Sequence, residues 1–170
     1  MLGWDVFTEK EMQKSLEEDK LKYPNATLLR GASYQNLPAY NCLSYALYSQ
    51  SYDNDYWMQI VQGYENGPWT YFSDGSYRLI AYYYPNTYSS DNYSKSISEI
   101  QKGDIFVYGF NESIWGLGPS HIGIVNSLSS PIGVNKVVSK WGAGGLWLHP
   151  WADCPYIEET GKNYSVWKLA

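Results

Sequence analysis

The stretch that decides the fold runs from residue 121 to residue 140: His121-Ile122-Gly123-Ile124-Val125-Asn126-Ser127, then Leu128-Ser129-Ser130-Pro131-Ile132-Gly133-Val134, then Asn135-Lys136-Val137-Val138-Ser139-Lys140. Two β-branched runs flank a cluster of Ser, Pro and Gly, which is the pattern of two strands joined by a turn. The segments 121–127 and 135–140 are therefore expected to pair as a hairpin about Ser130. In that register Ser139 lies opposite His121, and directly opposed residues of an antiparallel pair hold their Cβ atoms about 4.5–5.5 Å apart.

Outward from this hairpin the same pattern recurs. Segments 78–84, 104–110, 145–149 and 164–169 are short runs rich in Val, Ile, Tyr and Trp, separated by Gly, Pro, Asn or Ser. The first half of the chain differs. Residues 8–21 read as a helix, with Thr8 and Glu11 as a capping box, Phe7 placed to staple on Met12, and a narrow apolar stripe of Met12 and Leu16. Pro24, Gly31 and Pro38 mark a loop, after which Asn41 caps a second helix from Cys42 to about residue 50, its buried face made by Leu43, Ala46 and Leu47. Residues 51–77 read as turns and short strands. The expected fold is α+β: N-terminal helices packed on one antiparallel sheet. A single domain, 1–170, is expected, with an N-terminal helix and loop over 1–37 and a catalytic core over 38–170.

Composition narrows the function. The 170 residues carry 18 Tyr, 8 Trp and 4 Phe against 17% charged residues, a balance that argues for a packed globule and against disorder. A net charge of −5 argues against nucleic acid and anionic membrane as partners. No apolar run is long enough for a spanning helix. Residues 1–9 lack the basic start and apolar core of a signal peptide. That fits a cytoplasmic protein or an exported chain trimmed of its leader, and the Tyr-, Ser-, Asn- and Gly-rich composition favours a secreted or cell-surface bacterial location. Two histidines and two cysteines spread along the chain lack metal-ligand spacing, and Gly142-Ala143-Gly144-Gly145 lacks the Lys-Ser/Thr of a phosphate loop, so no metal and no cofactor are expected. A monomer is expected, without a Cys42–Cys154 bridge.

Two residues can do chemistry. Cys42 sits in the first turn of its helix, where unpaired N–H groups and the positive end of the helix dipole lower a thiol's pKa. His121 opens a strand and can serve such a thiol as base. The plainer alternative is a buried structural cysteine and a packed histidine.

Asn41-Cys42-Leu43-Ser44-Tyr45-Ala46, Lys102-Gly103-Asp104-Ile105-Phe106-Val107 and Ser120-His121-Ile122-Gly123-Ile124-Val125, in that order, resemble the NlpC/P60 superfamily of papain-like cysteine hydrolases. The Cys-x-x-Tyr-Ala spacing is most similar to its CHAP amidase branch. Residues 137–146 resemble a segment of uncharacterised secreted bacterial relatives, and the likeness covers about residues 38–150. The resemblance implies a papain-like core with Cys42 as nucleophile, His121 as general base, and Gly103-Asp104 as structural residues. It also implies a third residue orienting the imidazole, for which Ser139 and His149 both qualify; Lys140 does not, because a cation beside His121 lowers its basicity. Asn41 departs from the Asp often found before the cysteine.

The implied chemistry is acyl transfer to water: a Cys42 thiolate attacks an amide carbonyl, backbone N–H groups hold the oxyanion, and His121 protonates the leaving amine. The implied substrate is a peptide or peptidoglycan, with Trp115 and Trp141 as cleft residues because both adjoin glycines. Two rivals stand beside this: a non-catalytic, aromatic-rich module binding glycan or cell wall, and a papain-like protease or acyltransferase acting on a protein or an amine.

Overall fold

A computed structural model of the chain describes residues 9–30, 41–51, 54, 75–83, 97–108, 121–129, 133–141, 144–157 and 163–170. They form helix α1 (Glu9–Lys22), strand β1 (Thr27–Arg30), helix α2 (Cys42–Leu47) and strands β2 (Tyr77–Tyr83), β3 (Ile105–Tyr108), β4 (His121–Ser129), β5 (Gly133–Lys140), β6 (Leu146–Pro150) and β7 (Tyr164–Leu169), with a 3₁₀ turn at Ile97–Glu99. The seven strands make one sheet in the order β1-β6-β5-β4-β3-β7-β2, every neighbouring pair antiparallel. The layout is α+β. Among the described residues no helix is long and apolar enough to cross a membrane.

The expected elements differ from the observed ones in three places. Thr27–Arg30, inside the expected N-terminal loop, is a strand that pairs with β6 and closes one edge of the sheet. Its four residues are too few to show an alternating pattern by themselves, so the partner strand determines it. Helix α2 ends at Leu47 instead of near residue 50. Asn54, buried, donates from Nδ2 to Ser44 Oγ at 3.0 Å and to the Ser49 carbonyl at 2.9 Å, and so ties down the turn that leaves the helix. Thr8, Phe7 and nearly all of 51–74 lie outside the described residues.

The third difference concerns the hairpin. Ser129 pairs with Gly133 and Leu128 with Val134, and after irregularities on both sides of Ser127 that cancel each other, Val125↔Val137 and Ile124↔Val138 keep the same register. This register is two residues from the expected one, and Ser139 lies beside Gly123 instead of opposite His121. The two chains are tight there: a Cβ on Gly123 would sit 2.8 Å from the Val138 carbonyl oxygen and 3.0 Å from Ser139 Cβ.

Both faces of the sheet are covered. Alternation along the strands sends Phe106, Tyr108, Val125, Val137, Trp147, Tyr164 and Val166 to one face, where they pack with Leu16 and Tyr23 of the N-terminal segment and with Trp151, Cys154 and Ile157 of the turn after β6. Ile105, Val107, Ile122, Ile124, Val138, Leu146 and Trp167 go to the other, where Leu43, Tyr45 and Ala46 of α2 cover them. The first face is aromatic; the second is mostly aliphatic. Each is a separate core with the sheet between them.

Candidate functional site

Asn41 has extended backbone and its side chain accepts from the Ser44 N–H at 2.9 Å, satisfying one of the donors that a helix start leaves unpaired. Cys42 is thereby the first residue of α2, half-buried at the rim of the aliphatic core. Burial is the main influence on its thiol, pushing it from its ordinary value up to about 11 against the backbone of Ile122 and Leu43 and the positive charge of Lys140. The expectation of a lowered pKa is corrected: desolvation outweighs the helix start.

His121 does not face this thiol. It pairs across β3 with Tyr108, on the aromatic face, with ring centroids 5.4 Å apart, and stacks on Tyr156 at 3.7 Å with the rings 11° from parallel. Its neighbour Ile122, pointing the opposite way, is the residue that packs under α2. The sheet therefore separates Cys42 from the His121 ring. His121 is 1% exposed, and neither ring nitrogen has a hydrogen-bond partner among the described residues. Burial, followed by the charge of His149, holds its pKa well below the usual imidazole range.

The two candidates for a third residue bind each other. His149 Nδ1 lies 2.8 Å from the Pro150 carbonyl, which can only accept, so the proton sits on Nδ1. Nε2 is then an acceptor, and Ser139 Oγ donates to it at 2.8 Å while accepting from Trp141 Nε1 at 3.1 Å. Every polar atom of this buried trio has a partner. Neither Ser139 nor His149 hydrogen-bonds to His121. Burial takes the His149 pKa down to about 4, against the Pro150 hydrogen bond.

Trp141, expected in a cleft, is a core residue: buried, stacked on Trp147 at 4.8 Å, and edge-on to Tyr23 and His149. The glycines after it mark a turn, and the alternation of β5 determines where the indole goes. Trp115 lies outside the described residues. Gly103 has φ of 98°, the left-handed region that favours glycine, and Asp104 Oδ2 accepts from the Gln101 N–H at 2.8 Å. The pair thus turns the chain into β3. Cys154 packs in the aromatic core and Cys42 against the aliphatic one, and both are free thiols.

What the sequence reading missed is Lys140. Its side chain follows Val138 to the α2 face, away from His121, so the objection to a cation beside the imidazole does not apply. It is 6% exposed. Burial lowers its pKa to about 8, and the charge of Cys42 is what acts in the other direction. A lysine two places after Val138 could have been assigned to that face by alternation alone. What the alternation lacked was the position of α2. Comparison of the chain with protein-family models, with characterised proteins and with solved structures returns no match.

Proposed function

We propose that the chain is a cysteine hydrolase of amide or peptide bonds, with Cys42 as nucleophile and bacterial cell-wall peptide as the substrate class, in a papain-like core of the NlpC/P60 kind. The observation that carries this reading is Cys42 itself: a half-buried thiol opening a capped helix that lies on an antiparallel sheet. The order of the cysteine, Gly-Asp and histidine motifs supports it further. In the arrangement described, His121 holds the aromatic core together and takes no proton from the thiol.

The test is incubation of the full chain with purified peptidoglycan, following newly freed amino groups. The native chain should release them and Cys42→Ala should not. Release by Cys42→Ala at the native rate would end the reading.

A second reading is favoured by the burial of His121 on the face away from the thiol: a non-catalytic wall-binding module. It calls for co-sedimentation with peptidoglycan and no amine release from either form.

A further inference from the structure

The turn that leaves β6 covers the aromatic face of the sheet. It folds back on itself, with the Asp153 N–H donating to the Pro150 carbonyl at 3.0 Å and the Ile157 N–H to the Cys154 carbonyl at 3.4 Å, and it buries Cys154 and Ile157 in the aromatic core. The sheet holds it at its start: the Trp151 N–H donates to the Asn135 carbonyl at 3.1 Å, and the Trp151 carbonyl accepts from the Tyr108 hydroxyl at 2.7 Å. Further along, the Tyr156 ring lies flat on His121 at 3.7 Å. His121 is fully enclosed, and neither of its nitrogens has a hydrogen-bond partner among the described residues. A neutral imidazole carries one donor and one acceptor, an imidazolium two donors. Both forms are unsatisfied in this place, and the second is a buried charge as well.

We propose that residues 152–157 are an acid-released latch, lifted from the aromatic face when His121 takes a proton. The backbone of His121 cannot yield instead, because it pairs with Tyr108 of β3 and its neighbour Ile122 is buried under α2. Removing the cover is how water reaches the ring. Among the described residues, the groups around it are Tyr108 from β3, His149 from β6, Ser139 from β5, Tyr164 from β7, and Tyr156, Cys154 and Asp153 from the turn itself. His149 opposes a charge on His121, and the Asp153 carboxylate acts on the Cys154 thiol instead of on the imidazole. The face of Tyr156 attracts an imidazolium, an effect worth about one unit of pKa, whereas burial of a charge weighs up to about 3–5 units. Desolvation wins, and the proton favours the lifted form.

His149 is not the trigger. Its nitrogens are bonded to Ser139 and to the Pro150 carbonyl, both outside 152–157, and with a pKa of about 4 it is neutral at pH 5. In the lifted form His121 is solvated and titrates near its ordinary 6.5, so closure is fully favoured above that pH and loses up to about tenfold per unit below it. Lifting exposes Cys154, which packs beneath the turn with its thiol 3.9 Å from the Trp151 carbonyl. The inference is independent of Cys42 being a nucleophile.

The test labels the full chain with 4,4′-dithiodipyridine, a disulfide that reacts with thiols in acid as well as at neutral pH, and resolves Cys154 from Cys42 by the masses of peptic peptides. Each rate is divided into that of the urea-unfolded chain at the same pH, which cancels the reagent's own pH dependence. Between pH 7.5 and pH 5 the protection of Cys154 should fall by about thirtyfold, the full effect of a group titrating at 6.5. Protection of Cys42, on the opposite face, should stay within a few-fold. His121→Phe keeps a ring under Tyr156 and takes no proton, so its Cys154 protection should not change with pH; thermal melting at pH 7.5 checks that this variant is folded. Protection of Cys154 that is the same at both pH values in the native chain overturns the latch. So does a parallel fall at both cysteines, which is unfolding of the whole chain, or a native-like fall in His121→Phe.

Discussion

At Cys42 two effects oppose each other, and their sizes decide the outcome. A helix start stabilises an adjacent anion by about 0.3–1 kcal/mol, less than one unit of pKa. Burial in an apolar setting shifts a titratable group by up to about 3–5 units. The thiol therefore rises to about 11, and a cysteine that looked activated from its position is protonated until a base takes its proton. The same scale of reasoning applies to Ser139, whose hydroxyl serves both His149 Nε2 and Trp141 Nε1. Ser139→Ala leaves both buried nitrogens unpaired and should lower stability by about 1–3 kcal/mol in urea denaturation, an unsatisfied buried group costing about that much. It should leave the rate of Cys42 alkylation unchanged, because Ser139 lies on the other side of the sheet. Unaltered stability would mean that the trio contributes nothing to the core.

Among the elements, α2 and the β4–β5 pair set the positions that matter. Asn41→Ala removes the one side chain shown satisfying the start of α2 and is expected to cost about 0.5–2 kcal/mol. Gly123→Ala forces a Cβ against the Val138 carbonyl, a backbone atom that cannot swing away, so the strands must part. A loss of about 1–3 kcal/mol is expected from such overpacking, read as a lower urea midpoint; native stability would show that the pair is looser than described. Much at this scale is legible in the sequence. The cap at Asn41, the stripe of Met12 and Leu16, and six of the seven strands follow from spacing and turn residues. The hairpin register does not: the pairing differs by two residues from the expected one already at Ser129↔Gly133, the bulges on either side of Ser127 cancel each other, and nothing in Asn126-Ser127 announces them. The i, i+2 pairs Ser139–Trp141 and Ser165–Trp167 are a further pattern seen only afterwards. In each the serine hydroxyl accepts the indole N–H, at 3.1 Å on the aromatic face and 2.8 Å on the aliphatic one.

For the whole molecule, two buried histidines make acid the weak side of the stability curve. Both have folded pKa values below the ordinary 6.5, so the unfolded chain binds more protons than the folded one as pH falls below that value. The stability that their burial contributes is fully present above pH 6.5 and declines on the way to about pH 4, where His149 titrates in the folded protein. The slope should be roughly 1 kcal/mol per pH unit for each histidine in that window. Urea midpoints at pH 5 and pH 7.5 measure it, and His121→Phe, which keeps a ring against Tyr156, should flatten it. Equal midpoints for the native chain at the two pH values would contradict the burial of the pair.

What the sequence determined by itself was local and relative. Alternation dictates that His121 and Ile122 point opposite ways, as do Ser139 and Lys140, whatever else the chain does. Only the tertiary structure decided which of the two faces receives α2, because that choice depends on shape and chemistry gathered from strands far apart in the chain. The face of Ile105, Val107, Ile122, Ile124 and Val138 is aliphatic and matches Leu43, Tyr45 and Ala46; the other is filled by rings and by the turn after β6. Once the helix lies on the aliphatic side, Cys42 shares a face of the sheet with Lys140, and the sheet itself stands between the thiol and the histidine that the motifs had paired with it.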